Sequence, residues 1–238
     1  MIGMTLIAGG FFCAGRRASE PVMRFLAALG WRLEEVCVQG RYQTPVQDIQ
    51  KATGLERGMN IFDVDLRGLF AKISSLPWVQ SVVVERRLPS QVLIRLCEKE
   101  ILAVWHAQEK RYLVDQSGKI ILQLNPDQYD VWKHLTVITG QDAGTFFVDF
   151  YRLIRESGLE LPRQAVYLRS GRWDIYLKRG LCAKLPEDQT LQALSKLKSL
   201  LPTLGPKVTV VDLRFPGTVL LENRAEVPQS KLLSKEKK

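Results

Sequence analysis

Four cysteines (Cys13, Cys37, Cys97, Cys182) and two histidines (His106, His134) are the chain's whole stock of thiol and imidazole ligands. No pair forms a C-x-x-C and no Cys/His cluster has ligand spacing, so neither a zinc site nor a disulfide framework is indicated. Cys37 and Cys97 lie in apolar, strand-like stretches and could be neighbours across a sheet; two small buried hydrophobes is the plainer reading. Asp63 with Asp65, and Asp127 with Asp130, could serve a glycosidase as paired carboxylates. Each pair sits in a turn or at a helix start, where Asp acts as a cap or Asx-turn residue. The sequence has no G-x-S-x-G, H-E-x-x-H, phosphate-binding G-x-x-x-x-G-K-[ST] or dinucleotide-binding G-x-G-x-x-G. No enzymatic role and no cofactor or metal are expected. A cell-wall hydrolase would need two carboxyls about 5–10 Å apart in a cleft.

Charge points to a binding chemistry instead. Residues 163–184 hold six basic groups against Asp174 alone, a local excess suited to steering acidic side chains; a solvated face is the competing reading. The whole chain of 238 residues carries +9, but more than half of that excess lies in residues 1–33 and 225–238, and residues 34–102 are neutral. No chain-wide basic face exists to displace the counterions of a duplex, so nucleic acid is not an expected partner. Apolar content of 46% and charged content of 25% are those of ordinary globular domains and exclude wholesale disorder.

The elements that must position these residues can be read from periodicity. Glu35–Gln39 is strand-like and ends at Gly40. Thr44-Pro45 opens a helix with Val46, Ile49 and Ala52 or Thr53 inside, stopped by Gly54. Asp65 caps a second helix whose stripe is Leu66, Leu69, Phe70, Ile73 and Leu76, ended by Pro77. Strands at Ser81–Glu85 and Gln91–Leu96 follow, giving a β-α-α-β-β unit over 34–102. Pro77 and Trp78 are expected to end the helix and fill the core. Residues 103–224 read as a β-rich domain with two helices, at 143–156 and after Asp188 or Thr190. Its meander spans Ala165–Leu168, Trp173–Leu177 and Leu181–Leu185. The last element is expected to be one long alternating strand, Val208–Leu213, continued past Pro216-Gly217 by Thr218–Leu221. The fold class is therefore α+β. From 225 to 238 the chain is lysine-rich and expected to be disordered.

Residues 1–15 are uncharged and mostly apolar, and as a helix would span about 22 Å against a hydrocarbon core of about 30 Å. Residues 1–17 are read as a membrane anchor whose beginning is missing, and 18–33 as a juxtamembrane amphipathic helix. Arg16 and Arg17 follow the apolar run with nothing basic before it, a conflict with the positive-inside rule that a longer basic N-terminus would remove.

Gly58-Met59-Asn60-Ile61-Phe62, Leu76-Pro77-Trp78-Val79, Val82-Val83-Val84-Glu85-Arg86-Arg87-Leu88-Pro89, Glu98 and Leu113-Val114-Asp115-x-x-Gly118 stand in one order with Gly171-Arg172-Trp173-Asp174 and Val210-Val211-Asp212-Leu213-Arg214-Phe215. Over residues 34–222 this resembles the FtsQ/DivIB family of bacterial cell-division proteins. The resemblance implies a membrane-anchored POTRA domain, then the family's β-domain. It implies a single-pass inner-membrane protein at the septum, with its bulk in the periplasm. The implied function is a non-enzymatic divisome scaffold that links early to late division proteins by binding FtsB, FtsL and further late membrane partners. An exposed last strand could accept a partner strand along its edge. The residues carried over as partner-binding are Arg214, Phe215, Gly217, Thr218, Val219 and Leu220, with Arg169 and Arg172 in the meander. Pro216 departs from the family pattern and is expected to bend the edge or shift its register. The alternative class is a POTRA-type chaperone or secretion component acting by strand addition, which would normally carry several such repeats and a membrane barrel.

Overall fold

The computed structural model describes residues 31–215 and 217–223. The expected anchor (1–17), most of the juxtamembrane helix (18–33), the effect of Pro216 and the tail (225–238) lie outside the described residues. Among the described residues, no helix is long and apolar enough to cross a membrane. The chain divides into two compact units between Glu98 and Lys99, because Ile101 and Leu102 already belong to the first strand of the second unit.

In the first unit β1 (Glu35–Gln39) is followed by α1 (Val46–Thr53), α2 (Leu66–Ser74), β2 (Val79–Arg87) and β3 (Gln91–Glu98). The sheet order is β1-β3-β2, with β3 parallel to β1 and antiparallel to β2. The expected β-α-α-β-β order holds. Its core is Ile49, Leu69, Ile73, Val82, Val92 and Ile94 under the two helices, and Trp78 is buried beside the end of α2. Two positions assigned to the inner stripes instead face out: Val46 is 47% and Phe70 51% exposed. Helices of two turns present only a narrow apolar face, and Leu69 with Ile73 fills it. Arg86 of β2 donates to the carbonyls of Ile61 (2.8 Å) and Val64 (2.8 Å), fixing the turn that leads into α2. Glu98 at the end of β3 accepts from the Gln43 (2.7 Å) and Thr44 (2.9 Å) amides and the Thr44 hydroxyl (2.6 Å), fixing the entry to α1.

The second unit contains β4 (Ile101–Ala107), β5 (Lys110–Asp115), β6 (Ile120–Leu124), α3 (Tyr129–Trp132), β7 (Val137–Thr139), α4 (Ala143–Ser157), β8 (Gln164–Tyr167), β9 (Trp173–Tyr176), β10 (Cys182–Lys184), α5 (Thr190–Leu200), β11 (Val208–Asp212) and β12 (Leu220–Asn223). All nine strands form one mixed sheet in the order β12-β11-β10-β9-β8-β7-β4-β5-β6. The parallel pairs are β4–β7, β7–β8 and β10–β11; α4 makes the β7–β8 crossover and α5 the β10–β11 crossover. Three-residue β7 and four-residue α3 are too short to give a periodic signal in the sequence. The long last strand is a correction. β11 and β12 are antiparallel neighbours, so the chain reverses between them, with Gly217 at φ 77°. Alternation continues across a hairpin as it does along a strand, so pattern alone does not separate the two.

Register explains how the sheet is covered. Ile138, Ala165, Ile175, Ala183 and Val211 are paired in sequence across five strands, and none of the five is accessible to solvent. Their alternating large and small side chains receive Phe147, Phe150 and Ile154 of α4 and Leu194 and Leu197 of α5. Phe150 stacks on Trp173 at 4.6 Å between centroids. Phe146, next to Phe147 on α4, stands 47% exposed and stacks on Tyr167.

Candidate partner-binding site

One residue along, the same ladders build the opposite face. Asp174 pairs with Lys184, Lys184 with Asp212 and Asp212 with Leu220, so a row of charges crosses β9, β10 and β11 and ends on an apolar residue at the sheet edge. Period-two alternation forces this: the row beside a fully buried row must face away from the helices.

Asp212, 3% exposed, accepts from Nε of Arg214 (2.9 Å) and from its Nη2 (2.6 Å), and also from the Arg214 amide (3.1 Å). The hydrogen bond from Arg214 holds the Asp212 carboxyl below the ordinary aspartate range despite burial, and the same bond raises the Arg214 guanidinium. Arg172 Nε lies 3.8 Å from Asp174 Oδ1, and both atoms are buried without a hydrogen-bond partner. Burial pushes the Asp174 carboxyl up, and Arg172, Lys184 and Arg214 only partly offset it. Lys184 Nζ in turn stands 3.8 Å from Glu222 Oε1 on β12.

This array borders a cleft of about 510 Å³. Arg172, Arg214, Phe215, Gly217 and Thr218 all line it, together with Lys196 of α5 and the carboxylates of Glu187 and Asp188. Five of the eight residues expected to bind a partner are thus brought to one place, and Leu220 stands 47% exposed on β12. Arg169 is exposed in the β8–β9 turn, outside the lining. Val219 is partly buried and packs against the helix-covered core. Three cations against two carboxylates leave the lining close to balanced, so the excess of residues 163–184 does not concentrate here.

The edge itself was missed at two residues. The Leu213 amide donates to Lys184, so alternate residues of β11, Val211 included, turn their amides and carbonyls to β10. Val210 and Asp212 therefore bond to Glu222 and Leu220 of β12, and Thr209 Oγ1 adds a bond to the Glu222 carbonyl. That leaves the amide and carbonyl of Leu221, and of Asn223 two residues on, facing away from the sheet. The Leu221 side chain is 50% exposed. Only the direction of pairing carries this information; the residue types do not.

The other candidates for chemistry are dispersed. Cys37 is in register with Leu93, four residues from Cys97 along β3, and Cys37, Cys97 and Cys182 are free thiols. Asp65 caps α2 by accepting from the Arg67 amide at 3.1 Å, and Asp63 closes the short turn before it. Asp127 and Asp130 start the short helical turns of residues 126–132. Among the described residues no group of three His, Cys, Asp or Glu is arranged to hold a metal ion.

Residues 31–99 match the family described as POTRA domain, FtsQ-type, and residues 103–214 match Cell division protein FtsQ/DivIB, C-terminal. The second match stops at Arg214, short of β12. A relative in Agrobacterium fabrum, Cell division protein FtsQ, is 29% identical over 201 residues, which are 82% of this chain and 62% of the relative. The protein of that name in Rhizobium meliloti is 30% identical over 193 residues, 79% of this chain and 62% of the relative. That of Rickettsia typhi is 29% identical over 182 residues, 75% and 66% respectively. The chain thus spans about two thirds or less of the length of these relatives.

Proposed function

Because the chain belongs to the FtsQ/DivIB family of bacterial cell-division proteins, we propose that it is a non-enzymatic scaffold of the division machinery. In this reading it is anchored in the inner membrane at the septum by a single span, with both described units in the periplasm. It binds FtsB and FtsL and, through them and further membrane partners, links early division proteins to those that build septal wall. The second unit carries the partner platform, and the first recruits a further protein or spaces that platform from the membrane.

The observation that carries this reading is the β12 edge. Leu221 and Asn223 turn their backbone donors and acceptors away from the sheet, and the Leu220 and Leu221 side chains are half exposed. A long unprotected edge would aggregate; one four-residue strand bordered by charge is an edge kept for a specific strand. Phe215, 51% exposed at the mouth of the adjoining cleft, supplies an aromatic anchor of the kind interfaces use. Arg214 and Arg172 line that cleft and would meet a partner carboxylate entering it, Arg214 from a geometry fixed by Asp212. The same edge would serve a chaperone acting by strand addition; the match of residues 103–214 to the FtsQ/DivIB C-terminal family favours the scaffold.

Calorimetric titration of the chain with the periplasmic FtsB–FtsL segments of the same organism tests this. Saturable binding is expected. Leu221→Pro should abolish it, since proline removes the outward amide while leaving the bonds to β11 in place. Phe215→Ala should weaken it about tenfold or more. A folded chain that shows no binding at high micromolar partner would overturn the assignment and return the chaperone reading.

A further inference from the structure

The cations of residues 163–184 divide between the two ends of the same strands. Arg172 belongs to the cleft already described. Lys178 and Arg179 stand in the β9–β10 turn at the opposite end, on the rim of a second cleft of about 460 Å³. Its floor is leucine: Leu159, Leu177 and Leu181 are nearly buried, and Leu161 beside them is 41% exposed. Lys198, from the last turn of α5, completes the rim beside Gly158, its Nζ 2.6 Å from where a Cβ would stand. Among the described residues of this lining Glu160 is the single carboxylate, and it is taken by Lys178 Nζ at 2.7 Å. Arg179 and Lys198 therefore carry the uncompensated charge.

An apolar floor alone would accept any greasy surface, and exposed cations alone would remain solvated. Side by side they select a ligand that is apolar at its centre and anionic at its flanks. The cleft is also continuous with the sheet edge. Val208 lines it, and Val208 pairs with Asn223, the last residue of β12. A strand added along β12 thus runs from the Phe215 cleft at one end to this cleft at the other.

We infer that the Lys198 cleft is a second subsite for the same partner: it seats an acidic segment, with one or two leucines at its centre, that flanks the partner's added strand where β12 ends. The inference rests on the strand-addition reading of β12, but its site can fail or stand separately. The partner of this edge is then recognised in two parts, with the backbone giving pairing and the cleft giving sequence preference.

The test uses the ¹⁵N-labelled chain and three synthetic peptides. One is a hexapeptide with two leucines between two acidic pairs, one is an uncharged β-branched hexapeptide, and one joins the two. The acidic peptide is expected to move the amide signals of Arg179, Gly205 and Val208. The joined peptide is expected to bind at least tenfold more tightly than either half. The double variant Arg179→Glu, Lys198→Glu, at two exposed positions, should weaken the acidic half at least tenfold and spare the β-branched half. Leu221→Pro should do the reverse. If the acidic peptide moves only signals around Phe215, or none at about 1 mM, the subsite is overturned. Equal binding of a lysine-for-acid peptide, or movement of these signals by phosphatidylglycerol vesicles and not by peptide, overturns the acidic-peptide occupant. If the acidic half binds here while the β-branched half fails to bind anywhere, the β12 reading falls and the cleft stands.

Discussion

Asp212 shows how much one buried carboxylate organises. It sits at the end of β11, accepts from Nε and Nη2 of Arg214, and adjoins Lys184 through the strand register. Asp212→Asn keeps the shape but removes the charge, leaving Arg214 without its counterion. Hydrogen bonds to charged groups are worth about 1.5–3 kcal/mol, and a loss at the low end of that range is expected in urea unfolding. On the proposed binding role, partner affinity should fall as well, because Arg214 loses the direction that Asp212 gives it. The pH dependence follows from sign. The Asp212 carboxyl is depressed in the fold, so its contribution is complete above the ordinary aspartate range and is lost as pH falls through the depressed value. Asp174 is opposite. Its carboxyl is raised by burial, so the fold loses stability as pH rises from the ordinary aspartate range through the raised value. Asp174→Asn should remove that second dependence and leave the first, which a pair of urea midpoints measured on either side of the window would show.

At the scale of elements, Trp173 is the aromatic on which α4 is seated. Trp173 is 5% exposed, lies flat on Phe150 and meets Phe147 edge-on at 5.7 Å between centroids. Trp173→Ala is expected to cost about 3–5 kcal/mol, against less than about 1 kcal/mol for Phe146→Ala, although the two aromatics are equally conspicuous in the sequence. Equal losses in denaturant midpoints would mean that α4 is seated otherwise. Gly140 is a second point of closure between elements. It has φ 120°, and a Cβ there would come within 2.3 Å of the Tyr167 carbonyl, while its own carbonyl accepts from Trp105 Nε1 at 3.1 Å. Gly140→Ala should therefore destabilise the β7–β8 junction by more than about 1 kcal/mol, read as faster amide exchange at Ile138 and Ala165.

At the scale of the molecule, two cores mean two places to lose stability. The first unit is closed by Ile73 and Ile94 inside and by Glu98 across the entry to α1. Burial pushes the Glu98 carboxyl up, but the Thr44 hydroxyl and the amides of Gln43, Thr44 and Tyr42 outweigh it and hold the group below its ordinary range. Glu98 thus stabilises the fold above the ordinary glutamate range, and that contribution is lost as pH falls through the depressed value. Ile73→Ala is expected to raise hydrogen exchange within residues 35–98, and Phe147→Ala within residues 101–213. Exchange rising across both ranges from either substitution would show that the units unfold as one.

The sequence by itself determined the class of fold, most element positions and the family. Apolar spacing, caps and turn residues act over a few neighbours: Asp65 before α2, Pro77 after it, and the valines of β2 are legible without any partner. The family resemblance also named Arg172, Arg214 and Phe215 together, and the three line one cleft. What the sequence did not contain was pairing. Whether Val208–Asp212 runs on into Leu220 or turns back beside it depends on hydrogen bonds between segments, and the same alternation fits both. That pairing alone decides that Leu221 faces outward. Tertiary structure also separated Lys178 and Arg179 from Arg172, though all three fall within one basic run, because a strand carries residues at its two ends apart. Charge summed along a chain is local in sequence, whereas charge felt by a partner is local in space.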